Sequence, residues 1–252
     1  MTTESEPLLD ISGLSRDFGG FRAVDGVDLR VAPGTIHSVI GPNGAGKTTL
    51  FALITGDLRP SSGSVRFAGR ELTGRAPHVV TRAGLAKAFQ TTSIFPRLTV
   101  RESVCAALLA RRRHVRLLAA GTPRAVRARA EEICEAVGLA GHLDRPGREL
   151  SHGDQRALEI ALALATDPRL LLLDEPTAGM SPFETRRVVG QITALARERG
   201  LTVLFSEHDM DTVFAISDEV TVMHQGRVLA HGPAAEVRAN HEVMAVYLGS
   251  EA

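Results

Sequence analysis

A glycine-rich segment with one lysine and two threonines carries the clearest chemical pattern in the sequence. Residues 41–50 read GPNGAGKTTL and fit the spacing G-x-x-x-x-G-K-[ST]. An apolar run, residues 36–40, precedes them, and a helix-like run, residues 50–54, follows. Glycines let the backbone turn tightly so that successive N–H groups face one anion, and the start of the next helix adds its dipole. The segment therefore predicts a phosphate-binding loop for a nucleotide.

Each residue of this phosphate loop (residues 41–50) has an expected place around the nucleotide. We expect Lys47 to reach the β- and γ-phosphates and Thr48 to offer its hydroxyl to Mg²⁺. A glycine-rich turn without a ligand is the alternative, but a chance match is expected in only about one chain in a hundred at ordinary glycine content. The nucleotide-binding candidates are Gly41, Pro42, Asn43, Gly44, Ala45, Gly46, Lys47, Thr48 and Thr49.

A pair of acids follows an apolar run later in the chain. Residues 170–173 are four leucines, which is typical of a buried strand, and Asp174 and Glu175 follow them. We expect this strand to lie beside the strand that enters the phosphate loop, with Asp174 facing the Mg²⁺ held by Thr48. Glu175 would then act as a general base on the water that attacks the γ-phosphate. The alternative is a plain strand end before a helix, and the four leucines favour the metal interpretation.

Length, composition and charge restrict the class of protein. The chain has 252 residues, of which 44% are hydrophobic, enough for one large domain or two small ones with a sizeable core. No apolar run reaches the roughly 18 residues of a membrane helix, and the polar N-terminus predicts no secretory signal. The formal net charge is zero, which argues against a general attraction to nucleic acid. Cys105 and Cys134 lack metal-type spacing, so we expect a cytoplasmic protein with reduced, buried thiols.

Hydrophobic periodicity divides the chain into three regions. The first seventy residues predict an antiparallel β layer around the phosphate loop, with a turn at residues 17–20. A helical insert follows, at about residues 92–165, in which Ser151 is expected to cap the last helix. Strands and helices then alternate, as in an α/β fold. The predicted helices cover residues 100–113, 123–137, 153–165, 183–199, 210–216 and 234–248, the last as one or two short helices. The predicted strands cover residues 8–11, 23–31, 35–40, 61–67, 170–173, 202–205 and 219–223, with a short strand running into a loop at residues 82–90 and a hairpin that returns through residues 227–230. The basic cluster at 111–116 has two interpretations, a solvated helix end or a surface facing anionic lipid.

Further motifs occur in a fixed order before and after the Asp174–Glu175 pair. Gln90 follows Phe89, residues 150–156 read LSHGDQR, residues 178–182 read AGMSP and residues 206–209 read SEHD. In this order the segments resemble the Q-loop, signature, D-loop and switch histidine of ABC transporter ATPases, and the resemblance covers residues 8–248. The branched-chain amino-acid importer subgroup is the most similar, on GLAKAFQ at residues 84–90, FPRLTV at 95–100 and EIA at 159–161.

The resemblance implies a fold and an assembly. The expected fold is α/β, a P-loop NTPase (RecA-like) core with an antiparallel β subdomain and an inserted α-helical signature subdomain. Two such ATPases are expected to face head to tail, as a homo- or heterodimer. Each ATP would lie between the phosphate loop of one subunit and the signature of the other. Ser151, Gly153 and Asp154 would thus contact the partner's ATP.

The resemblance also implies roles for residues outside the phosphate loop. Glu175 would polarise the attacking water, and His208 would stabilise the transferring phosphoryl group. Gln90 would contact Mg²⁺ or the water and sense the membrane subunits through the helical insert. Phe18 would stack on the adenine. The alternatives are that His208 neighbours a helix cap, that Gln90 is a surface amide and that Phe18 belongs to the core.

Two of the motifs depart from the common pattern. His152 and Asp154 stand where the signature usually has Gly and Gln, and Ser181 stands where the D-loop usually has Asp. An acid close to a triphosphate costs electrostatic energy unless it is paired or points away. Both departures suit a heterodimer with two different ATP sites.

The expected function is ATP hydrolysis that energises an ABC importer, with branched-chain amino acids as the first candidate cargo. The subunit would bind ATP and Mg²⁺ and sit peripherally on the cytoplasmic face of the inner membrane. Its partners would be two transmembrane permeases and a second ABC ATPase, with a solute-binding protein acting indirectly and no nucleic acid. Alternatives are an importer of urea, amides or other small polar solutes, a lipid or polysaccharide exporter, a soluble ABC protein acting on nucleic acid or ribosomes, and a P-loop kinase.

Overall fold

The computed structural model describes residues 6–88, 94–111 and 122–248. Phe89, Gln90 and residues 112–116 of the basic cluster lie outside these ranges. The strands are β1 (Leu9–Phe18), β2 (Phe21–Val31), β3 (Ile36–Ile40), β4 (Ser62–Phe67), β5 (Arg70–Glu71), β6 (Leu85–Ala88), β7 (Leu170–Asp174), β8 (Thr202–Ser206), β9 (Glu219–His224) and β10 (Arg227–Pro233). The α-helices are α1 (Lys47–Thr55), α2 (Pro77–Ala83), α3 (Val100–Arg111), α4 (Arg124–Ala136), α5 (His152–Leu164), α6 (Pro182–Arg199), α7 (Met210–Ile216), α8 (Ala234–Arg238) and α9 (His241–Leu248).

The first sheet is antiparallel and comes from the N-terminal 71 residues. Its strand order is β2-β1-β4-β5, which confirms the predicted β layer. β1 continues to Phe18, well beyond the predicted end at residue 11. Shifts in the pairing of β1 with β2 after Ile11 and after Leu14 break the apolar alternation, so a longer strand could not be recognised from its pattern.

The second sheet has the order β10-β9-β3-β8-β7-β6 and is parallel except for β10. β8 lies between β3 and β7, so our expectation that β7 lies beside the strand of the phosphate loop was wrong. The sequence specifies each strand, but the order of parallel strands depends on which way each crossover runs. The expected alignment of strand ends holds, because Ser206 of β8 pairs with Val39 on one side and Asp174 on the other.

Apolar residues cover the second sheet on both faces, as its continuous apolar strands require. Ile36 and Ile40 pack into the core that contains α3 to α6. Val39 packs on the other side, with α1 and the first sheet. Cys105 and Cys134 are buried free thiols, as predicted, and burial raises the pKa of Cys134 to about 12.

The helices follow the predicted pattern closely. α7 spans Met210–Ile216 as predicted, and α5 begins one residue early, at His152. α2 was not predicted, although Pro77 at its start is a typical residue for the first turn of a helix. Within the ranges given above, no helix is both long enough and apolar enough to cross a membrane. The outer bounds of the domain and of the helical insert stay predictions.

Candidate functional site

The phosphate loop connects β3 to α1 through two glycines that no other residue could replace. A Cβ at Gly41 would lie 2.2 Å from the Met223 carbonyl oxygen, and one at Gly46 would lie 2.4 Å from the Ala23 carbonyl oxygen. Gly46 also has φ +102°, a left-handed conformation that suits glycine. Contacts from both sheets therefore hold the loop in place.

Lys47 is buried and bonded within the loop. Its Nζ donates to the carbonyl oxygens of Gly41 (2.6 Å) and Pro42 (3.2 Å). Burial lowers the pKa of Lys47, while the carboxylates of Glu175 and Asp174 act in the opposite direction. Gly46 is the N-cap residue of α1 and has no side chain to bond the first amides of the helix. The first amides of the helix are thus available to an anion.

Asp174 ends β7 as a completely buried carboxylate. Its Oδ1 accepts a hydrogen bond from Ser206 Oγ (2.7 Å). Its buried Oδ2 has no hydrogen-bond partner among the described residues. Because an unpaired buried carboxylate oxygen is costly, this atom fits a cation supplied from outside the chain. The described residues contain no group of three or more Asp, Glu, His or Cys side chains that could hold a metal ion by themselves.

Glu175 and His208 lie together at the ends of neighbouring strands. His208 Nε2 is 2.6 Å from Glu175 Oε1. Glu175 has φ +50°, which is uncommon for a residue with a side chain. Such strained backbone concentrates at functional sites. The two predicted catalytic residues are therefore in direct contact.

Glu207 is a buried residue of this site that sequence reasoning missed. It accepts hydrogen bonds from the Thr177 amide (2.9 Å), from the Thr177 hydroxyl and from the His208 amide (3.0 Å). It thereby ties the segment after β7 to the segment after β8. Its neighbours in sequence do not identify it, because its partner Thr177 lies 30 residues away.

The signature residues form a closed hydrogen-bonded group at the start of α5. Ser151 caps the helix, accepting from the Asp154 amide (3.2 Å) and donating to Asp154 Oδ2 (2.7 Å). Asp154 Oδ1 bonds Arg187 Nη2 (2.8 Å). Asp154 is thus paired, which is the condition under which an acid can lie close to a triphosphate without a large electrostatic cost.

The structure also shows what surrounds Ser181 and His152, the two other residues that depart from the common motifs. Ser181 caps α6 in a reciprocal arrangement with Glu184, whose Oε2 accepts from the Ser181 amide (3.0 Å) and hydroxyl (2.8 Å). These bonds, with smaller contributions from Arg187 and the Gly153 amide, lower the pKa of Glu184. His152 borders a cavity of about 100 Å³ that Glu175 also lines. Because Glu184 faces Gly153, the signature and D-loop of one subunit touch each other.

Phe18 lies at the tip of the β1–β2 hairpin with 44% of its surface exposed. The Arg16 guanidinium carbon stands 4.5 Å from its ring centroid. Phe21, 67% exposed, pairs with Phe18 across the hairpin. Phe18 is therefore an accessible aromatic surface and not a core residue, and Arg16 and Phe21 are neighbours that the motif search did not select.

Comparison with known proteins identifies the family. A family model described as ABC transporter matches residues 24–178. The chain belongs to this family. It is therefore an ATPase of the ABC type, as the motifs predicted. A second model, described as branched-chain amino acid ATP-binding cassette transporter, matches residues 227–252 of this ABC ATPase.

Two curated relatives align along almost their whole length. The ABC ATPase is 41% identical to the high-affinity branched-chain amino acid transport ATP-binding protein BraF of Pseudomonas aeruginosa, over 97% of this chain and 99% of the relative. It is 39% identical to LivG of Escherichia coli K12, a protein of the same description, with the same coverage. The predicted similarity to this subgroup is confirmed.

Solved structures agree with the fold. A nucleotide-free ATP-binding cassette from an ABC transporter superposes with a TM-score of 0.84 at 29% identity, over 96% of this chain and 99% of that one. An ADP-bound cassette superposes with a TM-score of 0.83 at 29% identity, over 97% and 100%. The predicted P-loop NTPase fold with its β and helical parts is thus confirmed.

Proposed function

We propose that this ABC ATPase energises an importer of branched-chain amino acids. The observation that carries the proposed chemistry is the contact of Glu175 with His208. It lies next to the buried Oδ2 of Asp174, for which the described part of the chain offers no hydrogen-bond partner. The proposed cargo rests on BraF and LivG, whose names specify branched-chain amino acid transport. Urea, amides and other small polar solutes, or export of lipid or polysaccharide, remain the alternative roles.

Lys47 and the start of α1 would bind the triphosphate. In the described conformation Lys47 donates to two carbonyl oxygens of its own loop, and phosphate oxygens would take their place when ATP binds. A charged donor bonded to a phosphate is stronger than one bonded to a neutral carbonyl. Phe18 would present its ring to the adenine. ATP binding would thus exchange the two carbonyl partners of Lys47 for phosphate oxygens.

Glu175 would hold and deprotonate the attacking water. His208, bonded to its Oε1, would keep the carboxylate oriented and then face the transferring phosphoryl group. Thr48, Asp174 and Gln90 would hold Mg²⁺, which when bound neutralises charge on the β- and γ-phosphate oxygens. These groups come from the ends of β3, β7 and β8 and from the strand that leads to Gln90, so one edge of the sheet assembles the site.

The second half of each ATP site would come from another subunit. Ser151, Gly153 and the start of α5 would contact the partner's γ-phosphate, the anion position at a helix N-terminus. In the described conformation Asp154 and Glu184 occupy these donors. Binding of the partner's ATP would therefore exchange carboxylate contacts for phosphate contacts.

Two permeases would hold the ATPase on the cytoplasmic face of the inner membrane. A largely apolar groove between α2 and α5 supports this arrangement. Its volume is about 180 Å³, and Val80, Leu85, Lys87, Leu162 and other residues line it. Leu85, Ala86 and Lys87 of β6 line the groove, so a permease segment bound there would contact the strand that precedes Gln90 in the sequence.

Replacement of Glu175 by Gln tests the proposed chemistry. Glutamine keeps the shape of the side chain but cannot accept the proton of the water, so we expect hydrolysis to fall by about a hundredfold or more with ATP binding retained. Steady-state phosphate release and equilibrium ATP binding measure the two quantities. Glu198→Gln, an exposed change on α6, is the matched control and should hydrolyse normally. Normal turnover by Glu175→Gln would refute the assignment.

A further inference from the structure

The buried side chain of Arg156 connects the signature helix, α5, to the Asp174–Glu175 segment. It lies on α5 and is 8% exposed. Its Nη2 donates to the backbone carbonyl oxygen of Asp174 (2.9 Å), and its Nη1 donates to Glu159 Oε2 (2.6 Å). Glu159, on the same helix, is 4% exposed. Burying the Arg156–Glu159 ion pair costs free energy of desolvation, so stability alone does not explain why the pair lies at this position.

The bond from Arg156 acts on one particular peptide group. The carbonyl of Asp174 and the amide of Glu175 belong to the same planar unit. Arg156 holds the carbonyl end, while the Glu175 amide donates to the carbonyl and hydroxyl oxygens of Ser206, both at 3.1 Å. The plane is thus fixed at both ends, from α5 and from β8.

The orientation of this plane determines where the Glu175 side chain goes. Rotation of the plane changes φ of Glu175, which is +50°. A side-chain residue reaches this conformation only when its surroundings impose it. Without the donor on the carbonyl, the plane could turn toward a common negative φ, which would move the Glu175 carboxylate away from His208.

We propose that Arg156, supported by Glu159, is the positioning residue for Glu175. The signature helix of a subunit thereby controls the general base of the same subunit. This inference rests on the proposed function, since it requires Glu175 to be the base. α5 begins at Ser151, where the partner's ATP is expected, and one turn later holds the Asp174 carbonyl.

Glu159 extends the connection toward the permease side. It lines the apolar groove between α2 and α5, and it also lines the small cavity that contains Glu175. A change in the groove would thus reach Arg156 through the carboxylate that holds its Nη1. The pair links two surfaces, the groove and the signature, to one catalytic peptide group.

Arg156→Lys tests this role, because lysine keeps the buried charge but cannot donate to Glu159 and the Asp174 carbonyl in the same fork. The experiment uses the full chain and single-turnover hydrolysis of radiolabelled ATP. We expect the hydrolysis rate to fall by about a hundredfold, the cost of misplacing a reacting group by about 1 Å, while the ATP dissociation constant changes by less than about threefold. Arg129→Lys, an exposed change on α4, is the control and should leave both unchanged.

A double-mutant cycle separates positioning from general damage. If Arg156 acts through Glu175, adding Arg156→Lys to Glu175→Gln causes no further loss of rate. Losses that multiply would overturn the inference, as would an Arg156→Lys protein with weaker ATP binding and a normal rate. A normal rate for Glu175→Gln alone would instead refute the proposed function.

A neutral version of the pair provides an independent check. Arg156→Gln combined with Glu159→Gln removes both charges, so no unpaired charge stays in the core. We expect the same loss of rate with retained ATP binding. A normal rate in this variant would overturn the inference. If the neutral pair lowers the unfolding temperature so far that its rate cannot be measured, the Arg156→Lys result alone decides whether Arg156 positions Glu175.

Discussion

Lys47 is bonded within its own loop and lies near two carboxylates. Burial lowers its pKa, and the carboxylates of Glu175 and Asp174 oppose this shift. Its two carbonyl partners, Gly41 and Pro42, keep the ammonium group inside the loop before ATP arrives. A lysine that is held in position loses less entropy on binding its ligand.

Lys47→Ala should therefore abolish most of the ATP affinity. Hydrogen bonds to charged groups contribute about 1.5–3 kcal/mol, so we expect the ATP dissociation constant to rise by about 10- to 150-fold. Isothermal titration calorimetry measures this constant. Lys87, the only other lysine of the sequence, lines the groove between α2 and α5, and Lys87→Ala should leave ATP binding unchanged. Equal affinities of wild type and Lys47→Ala would contradict the loop assignment.

Motifs located most of the site, and tertiary contacts explain the residues they missed. Lys47, Asp174 and Glu175 could be selected because their chemistry follows from neighbours in sequence. Glu207 and Arg156 could not, because their partners are the Thr177 amide, 30 residues away, and the Asp174 carbonyl, 18 residues away. A backbone group as partner leaves no trace in the sequence.

Helix starts were the most predictable elements. Ser151 caps α5, and Ser181 caps α6 with Glu184, because these bonds join residues only three positions apart. Strand order was not predictable, since β8 pairs with β3 and β7 through residues more than thirty positions distant. Local chemistry thus determined where elements begin, and packing determined which elements are neighbours.

The β9–β10 hairpin joins the two sheets behind the phosphate loop. The Gly226 amide donates to the Ala45 carbonyl oxygen (3.0 Å), and the Asp25 amide donates to the Gly226 carbonyl oxygen (2.8 Å). Arg227 pairs with Asp25 at 2.6 Å. The shape of the loop therefore depends on a turn about 180 residues further along the chain.

Gly226→Ala tests that dependence. Gly226 has φ +80°, and a Cβ there would lie 3.0 Å from the Ala23 carbonyl oxygen. A left-handed alanine costs about 1–2 kcal/mol, so we expect lower stability to urea together with weaker ATP binding. Gly190→Ala is the matched control. Gly190 lies inside α6 with open space around its Cα, and alanine there should stabilise the protein by about 0.5–1 kcal/mol. Unchanged ATP binding by Gly226→Ala would contradict the dependence.

On the proposed function, the whole molecule carries two different halves of an ATP site. One is the phosphate loop with Glu175 and His208, and the other is the signature, whose donors Asp154 and Glu184 occupy. Because Asp154 and Ser181 stand where the common motifs have Gln and Asp, we propose that a second ATPase with a different signature completes the transporter.

Reconstitution tests this partner and the cargo together. We expect leucine uptake by proteoliposomes that contain the two permeases, the solute-binding protein and both ATPases. Omission of the second ATPase should slow uptake by about tenfold or more, as the loss of phosphate-stabilising donors would. Urea and a lipid are the comparison cargoes. Full uptake with this chain as the only ATPase would refute the heterodimer, and transport of urea without leucine would refute the proposed cargo.

The order of strands in the second sheet means that the phosphate loop gains its neighbouring strands late in translation. The first sheet needs only residues up to Glu71, but β3 pairs with β8 and β9, which end at Ser206 and His224. At about 5–20 residues per second, the 224 − 71 = 153 residues between these points take about 8 to 30 s to translate. During this interval the nascent chain carries its ATP-binding sequence without the strands that support it. Nucleotide can therefore stabilise this protein only after nearly the whole chain has been made.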